Sequence, residues 1–261
     1  MTTTKTLLCA SLLTLAATGA FAQTSAPAAA EAKPDWTFTG NAALVSDYRF
    51  RGISQTNKKP AFQGGFDVAH SSGFYAGNWN SNVDSAFFNG ANVEMDFYGG
   101  YKLPVGPVTL DFGGLYYYYP GSGANNTFSI HNTEVYVGAL WGAASLKYSY
   151  SVSDFFGIDD SKGAWYLDGN YAYELGGGFG LTAHVGYQRL RKNARVVEIN
   201  SSTLRSNVID WKLGATYDIA GSGFVAGVAY VGTNRDLTGG TGAPNRNLSN
   251  GTVVVSLSKS F

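Results

Sequence analysis

Apolar and polar residues alternate one by one along most of the chain from residue 36 onwards. In residues 144–153, apolar and aromatic side chains at the even positions alternate with serine and lysine at the odd positions. A period of two indicates a β-strand with one apolar face, and nine or more residues is the length of a tilted strand that crosses a bilayer. Twelve segments follow this pattern: 36–51, 60–70, 74–83, 91–101, 108–119, 132–141, 143–153, 163–173, 179–190, 207–217, 224–234 and 249–261.

The connections between these segments alternate in length. Short turns follow the even-numbered segments, at 71–73, 102–107, 142, 174–178 and 218–223. The odd-numbered segments are mostly followed by longer polar connections, such as 121–131, 154–162, 191–206 and 235–248. The pattern predicts an all-β fold: a single transmembrane antiparallel β-barrel of twelve strands, with short periplasmic turns, longer extracellular loops and both ends of the barrel at the periplasmic rim.

The aromatic residues favour a membrane barrel over its main alternative, a soluble β-sandwich or lipocalin-like barrel. Tryptophan and tyrosine prefer the membrane–water interface because their rings are apolar at one end and polar at the other. One predicted ring lies at the periplasmic ends of the strands: Trp36, Tyr75, Tyr101, Trp141, Tyr173, Phe179, Tyr217, Phe224 and Phe261. The second lies towards the other ends: Tyr48, Phe50, Trp79, Tyr116, Tyr118, Tyr150, Trp165, Tyr187 and Trp211.

The first 35 residues read as processing and lead-in segments. Lys5, the apolar run at 7–17 and the small residues around Phe21 predict a signal peptide over residues 1–22 that is cleaved during secretion. Residues 23–35 form a flexible Ala/Pro-rich lead-in, and residues 36–261 form the barrel. Because the only cysteine, Cys9, lies in the signal segment, the sequence predicts neither a disulfide nor a cysteine-ligated metal in the secreted chain.

Composition supports a membrane location without a membrane helix. Only 14% of the residues are charged while 15% are aromatic, whereas soluble domains carry about a quarter charged residues. The formal net charge is zero, and no basic patch suggests a nucleic-acid partner. No apolar stretch after residue 22 approaches the ~20 residues of a membrane helix.

The last segment, 249–261, has the form of an outer-membrane targeting strand. It ends on the aromatic residue Phe261 and places apolar residues at alternate positions before it, with Lys259 as the one departure. A lysine at the rim can extend its ammonium group into water. We therefore expect the machinery that inserts barrels into the outer membrane to recognise this strand.

Three motifs in the front half resemble the TorF-like family of proteobacterial porin-type proteins, long catalogued as conserved proteins of unknown function. They are ALVSDYRFRGISQT at 43–56, FYAGNW at 74–79 and VEMDFYGGY at 93–101. The resemblance covers residues 36–261 and is weaker at 121–129 and 191–206. It implies an outer-membrane barrel and a channel, with no established substrate and no catalytic residues.

Charged residues on the polar faces are the candidate lining of a lumen. Eight acids oppose four bases: Asp47, Asp67, Glu94, Asp96, Asp111, Glu134, Asp168 and Asp210 against Arg49, Arg51, Lys147 and Lys212. An open lumen with this excess of acids would prefer cations weakly. The alternative is a set of ion pairs that packs a narrow barrel shut. Asp47, Arg49 and Arg51 share one face of the first segment, either as a constriction or as a local pair.

Catalysis is the least supported function class. His131 has Ser129 and Asn132 beside it, but adjacent residues of a strand face different sides and cannot form a triad. His184 reads as a lumen residue, and His70 lies near a periplasmic turn. We expect no catalytic, cofactor-binding or metal-binding residues, and a barrel hydrolase is a distant third hypothesis.

The expected function is that of an outer-membrane porin in a Gram-negative bacterium, passing small hydrophilic solutes passively. The runner-up is a plugged structural or binding barrel whose long loops contact something outside the cell. Its partners would be the outer-membrane bilayer, the insertion machinery and an unknown small solute. The sequence leaves the solute, the gating and a homo-oligomeric state open.

Overall fold

A computed structural model describes residues 34–123, 129–190, 207–237 and 247–261. The predicted signal peptide, most of the lead-in and the connection 191–206 lie outside the described residues, as do parts of the connections 121–131 and 235–248. The strands are β1 Trp36–Val45, β2 Arg49–Phe50, β3 Ile53–Ser54, β4 Ala61–His70, β5 Phe74–Asn82, β6 Val93–Val105, β7 Val108–Tyr118, β8 Asn132–Trp141, β9 Ala144–Ser151, β10 Trp165–Gly176, β11 Phe179–Arg189, β12 Asn207–Ile219, β13 Phe224–Thr233 and β14 Thr252–Ser260.

Twelve of these strands form a closed antiparallel barrel in the order β1, β4 and so on to β14, which pairs back with β1. The predicted all-β barrel of twelve strands is therefore confirmed. The remaining two, β2 and β3, form a separate hairpin. Closure satisfies the backbone hydrogen bonds of both edge strands, which lipid could not do. No helix among the described residues is long and apolar enough to span a membrane.

The two rims of the barrel differ as the sequence predicts. Five short turns lie on one rim, which we call the short-turn rim, and the longer connections lie on the other, the long-loop rim. One predicted turn, 102–107, is wrong in its bounds because β6 continues to Val105 and only Gly106 and Pro107 turn. Gly106 adopts a positive φ of 58° there, a conformation that glycine reaches at low cost.

The outer wall is apolar over its full circumference. Phe38, Trp141 and Leu213 are 76%, 68% and 65% exposed. Such large apolar side chains would lie in water unless an apolar phase such as lipid covers them. The exposed aromatic side chains include most of the predicted ring at the short-turn rim. The second predicted ring is partly wrong: Tyr48, Phe50 and Trp79 lie inside the barrel, as does Tyr75 of the first ring.

Tyrosine side chains cover much of the inner wall because glycines make room for them. Gly77 pairs directly with Tyr98, and Gly113 pairs with Tyr136. A Cβ at either glycine would overlap the ring of its tyrosine partner. The rings therefore lie against the backbone of the neighbouring strand, which fits large side chains into a barrel of intermediate width.

Candidate functional site

The connection 46–60 folds into the barrel instead of extending the first strand. The predicted strand 36–51 is wrong in this respect, because β1 ends at Val45 and β2 and β3 form a hairpin inside the lumen. Asp47, Arg49 and Arg51 thus belong to this in-folded segment and not to the wall. A hairpin strand alternates polar and apolar residues just as a wall strand does, so periodicity could not tell the two apart.

Arg51 anchors the in-folded segment on the wall opposite its origin. Its Nη2 donates to both carboxylate oxygens of Glu134 on β8, each at 2.9 Å, and Nη1 donates to Gln188 on β11. The guanidinium carbon lies 4.2 Å from the ring centroid of Tyr166 on β10. The segment emerges between β1 and β4, and β8, β10 and β11 lie across the barrel from those two strands. The segment therefore spans the lumen.

Arg49 fixes the other side of the hairpin. Its Nε donates to Asp47 Oδ2 at 2.6 Å, and Nη1 donates to the carbonyl oxygens of Gly52 and Leu248 at 3.0 and 2.9 Å. The predicted local pair of Asp47 and Arg49 therefore exists. The same arginine also bonds the in-folded segment to the connection before β14. The side chains of Arg49 and Asp47 are 3% and 6% exposed.

Tyr48 packs over two acidic residues of β6. It is fully buried, its ring lies 5.4 Å from that of Trp79, and its hydroxyl donates to Glu94 Oε1 at 3.0 Å. Asp96 is also fully buried, and neither of its carboxylate oxygens has a hydrogen-bond partner among the described residues. An unpaired buried carboxylate is energetically unfavourable, so Asp96 destabilises the packing around it.

A cavity of about 150 Å³ lies beneath the in-folded segment and extends towards the short-turn rim. Its most polar feature is His184, whose Nδ1 lies 2.9 Å from Asp168 Oδ1 and whose Nε2 lies 2.7 Å from Asp210 Oδ1. An imidazolium can donate to both carboxylates at once. The predicted lining residues Lys147 and Lys212 face the same cavity. The opposite wall, on β13 and β14, contributes glycine, alanine, valine and serine.

Nearer the short-turn rim, tyrosine hydroxyls bind two of the predicted acids. Tyr98 donates to Asp67 Oδ1 and Tyr75 donates to Asp111 Oδ1, each at 2.6 Å. Lys102 lies with its ammonium nitrogen 5.0 Å from the ring centroid of Tyr75. All twelve predicted lining residues therefore face the barrel interior, although three of them do so from the in-folded segment.

Several interior groups are not among the residues predicted from the sequence. Lys102 was assigned to a turn, but its position at alternate spacing from Tyr98 and Gly100 would have placed it on the inner face. The interior tyrosines were missed because a tyrosine fits either face of a membrane strand. Gln188 could have been found from its alternation with His184, yet nothing in the sequence indicates its bond to Arg51.

Groups of the in-folded segment and of the long-loop connections have shifted pKa values. Burial, together with the negative charges of Glu94 and Asp96, raises the pKa of the Tyr48 hydroxyl well above its ordinary value. For Arg51, burial opposes the charge, but the carboxylate of Glu134 prevails and raises its pKa. Partial burial lowers the pKa of His131, whose Nδ1 accepts a hydrogen bond from the Tyr119 backbone at 3.1 Å.

The arrangement can hold charges in ion pairs and can bind a polar solute. No group of three or more histidine, cysteine or acidic side chains in the described ranges is placed to hold a metal ion. His131 and Ser129 lie on the long-loop rim, and the Ser129 hydroxyl accepts a hydrogen bond from the His131 backbone at 3.4 Å. This backbone contact is not the serine–imidazole contact that a hydrolase needs.

Solved structures with a similar fold include porins. The NanC porin aligns with a TM-score of 0.55 and 13% identity, over 85% of this chain and 99% of its own. The KdgM porin aligns with a TM-score of 0.52 and 10% identity, over 86% and 99%. KdgM in complex with a disordered oligogalacturonate gives a TM-score of 0.50, with 10% identity over 86% and 99%. At these identities the likeness concerns the fold, which is a porin-type barrel.

No curated protein matches the sequence. A family model described as "Bacterial protein of unknown function (Gcw_chp)" matches residues 29–261. This match covers the entire barrel and all three motifs on which the resemblance to porin-type proteins of unknown function rests. The chain therefore belongs to the Gcw_chp family.

Proposed function

We propose that this protein is an outer-membrane porin that passes small hydrophilic solutes passively. One observation carries the proposal: the closed barrel is apolar outside and polar inside, with ionised or hydroxyl-bearing side chains on its inner face from one rim to the other. A wall with this polarity suits a membrane outside and water or a polar solute inside. The strand ending at Phe261 would direct insertion, and the short turns would face the periplasm.

The interior charge supports a weak preference for cations. Eight acids face the interior against the four predicted bases, to which Lys102 and His184 add two further cationic groups. Rings of one charge sign set the potential of a pore. The preference is weak because Lys147 and Lys212 bring positive charge into the cavity itself.

The excess of acids over bases in the interior also affects which solutes can enter. The structure of KdgM holds an acidic oligosaccharide, but an excess of interior acids disfavours such a solute in this chain. We propose neutral and cationic solutes of low molecular mass, and we propose no acidic polysaccharide.

Liposome swelling tests the proposal directly. Vesicles containing the refolded protein should swell in isotonic neutral sugars at rates that fall with sugar size, and galactose should enter faster than galacturonate. In planar bilayers under a KCl gradient, the reversal potential should shift modestly towards that of K⁺. A shift towards Cl⁻ would contradict the cation preference, and the absence of any swelling or conductance would contradict the porin.

The packing of the in-folded segment supports a second candidate, a barrel whose lumen is permanently plugged. Tyr48, Arg49 and Ser54 are buried at the level where the segment crosses the lumen. Such a barrel would bind a partner through its long loops and would conduct no solute. Removal of the segment distinguishes the two candidates, because only a permanently plugged barrel needs this change to conduct.

A further inference from the structure

We propose that the in-folded segment 46–60 is a displaceable gate, with Arg51 as the latch that holds it against the opposite wall. The proposal rests on the porin function above and adds the element that controls it. Tyr48 reaches β5 and β6, Arg51 reaches β8, β10 and β11, and Gly52 lies against β12. With the segment in this position, its side chains cross the lumen at the level of the hairpin.

Displacing the segment would leave the wall of the barrel intact. β1 and β4, the strands on either side of the segment, pair with each other over ten consecutive residue pairs from Trp36–His70 to Val45–Ala61. Neither β2 nor β3 pairs with a wall strand. The segment can therefore leave the lumen without breaking a hydrogen-bonded ladder of the barrel, unlike any wall strand.

The segment is anchored by aromatic contacts, of Tyr48 with Trp79 and of Phe50 with Tyr117 and Phe156, and by a larger set of polar contacts. Arg51 is held by Glu134 and Gln188, and Arg49 by Asp47 and backbone carbonyl oxygens. Water can replace such hydrogen bonds, and the net stabilisation of each is small compared with its strength in isolation. Beneath the segment lies the cavity that contains His184, Lys147 and Lys212, so that opening would bring these charged groups into contact with water.

Two features destabilise the closed state. Arg51 adopts a positive φ of 47° in the two-residue turn of the hairpin, next to Gly52 at 79°. Turns of this kind favour asparagine and glycine, and a larger side chain in that region is strained. The buried carboxylate of Asp96, without a hydrogen-bond partner among the described residues, is the second feature. A closed state that is destabilised in these two ways is suited to an equilibrium with an open state.

A reversible disulfide tests the gate. A Cβ at Gly52 would lie 3.1 Å from Thr233 Cβ and 2.8 Å from Asp210 Cβ, so a cysteine there requires the segment to shift by a few tenths of an ångström. This shift brings the first distance towards the ~3.5–4.5 Å that disulfides span, and the variant Gly52→Cys/Thr233→Cys should then form a bond on oxidation. The only native cysteine, Cys9, is replaced by serine throughout. We expect the oxidised protein to lose at least nine-tenths of its swelling rate and to regain it on reduction. The single variant Gly52→Cys carries the same backbone strain without the bond, and its rate should not respond to reductant.

A deletion variant separates the gate from the porin itself. Residues 47–59 are replaced by a short glycine–serine linker, and heat-modifiable migration on gels confirms that the barrel has folded. If the gate is correct, the wild type swells vesicles, the deletion swells them at least several-fold faster, and the disulfide abolishes swelling. Equal rates in the wild type, the deletion and the oxidised variant would overturn the gate and leave the porin standing. Swelling by the deletion alone would overturn the gate in favour of a permanent plug, and no swelling by either would overturn the porin.

Discussion

The Nη2 atom of Arg51 lies 2.9 Å from both carboxylate oxygens of Glu134, although Arg51 belongs to a segment that starts on the far side of the barrel. The two side chains are only 8% and 3% exposed. A pair buried to this extent is lost at a high cost if one partner is removed, because the other charge is left unpaired.

Replacing Arg51 with glutamine should therefore open the barrel. Loss of the charged hydrogen bonds removes about 1.5–3 kcal/mol from the closed state, which raises the ratio of open to closed protein by about tenfold to a hundredfold. Swelling rates of reconstituted vesicles measure the change. The matched control is Lys59→Gln, since the Lys59 side chain lies in the same segment but is 66% exposed. Wild-type swelling by the Arg51 variant would contradict the latch.

Replacing Asp96 with asparagine should have the opposite effect. The change replaces a carboxyl group that has no hydrogen-bond partner among the described residues with a neutral amide, whose burial costs less than that of a carboxylate, so that the closed state gains about 1–3 kcal/mol. We expect slower swelling, and we expect a higher temperature to be needed before the folded band on a gel changes to the unfolded one. Asp159→Asn, in an exposed stretch of a long loop, is the control and should leave both quantities unchanged. Faster swelling of the Asp96 variant would show that its carboxylate stabilises the closed state.

Arginine on the outer wall should destabilise the barrel according to depth. Leu213 is 65% exposed in the middle of β12, and Ile219 is 39% exposed at the end of the same strand. In a bilayer, Leu213→Arg should cost about 2–4 kcal/mol of unfolding free energy and Ile219→Arg about 0–1 kcal/mol. Reversible unfolding by guanidinium in lipid vesicles measures both. Equal costs for the two variants would argue against a lipid-facing wall.

The inner wall should reject a side chain at Gly65. A Cβ there would overlap the carbonyl oxygen of Asn78, a backbone atom of the neighbouring strand that cannot move away by a rotamer change. Gly65→Ala should therefore destabilise the barrel by about 1–3 kcal/mol. At Gly169 the nearest atom would be 3.7 Å from the new Cβ, and Gly169→Ala in the same unfolding assay should be nearly neutral. Equal stability of the two variants would contradict the close approach of the strands at Gly65.

The alternation of apolar and polar residues predicted the wall strands, because neighbouring residues of each strand face lipid and lumen in turn. The predicted bounds of β8 agree residue for residue with those in the structure, and β14, which ends at Ser260 just before Phe261, closes the barrel against β1. Phe261 exchanges both backbone hydrogen bonds with Gly40, at 2.7 and 3.0 Å. Periodicity failed where the chain leaves the wall but keeps its alternation, at Asp47, Arg49 and Arg51.

The sequence by itself determined the fold class, the number of wall strands, the two unequal rims and the inward face of nine of the twelve charged residues. Each of these features follows from a local pattern, because neighbouring residues of a wall strand face lipid and lumen in turn and their polarity shows which face is which. Only the tertiary structure decided that residues 46–60 enter the lumen and that Arg51 meets Glu134, a residue 83 positions further along the chain. Contacts across a lumen depend on the diameter of the closed barrel and on which walls face each other, and closure decides both.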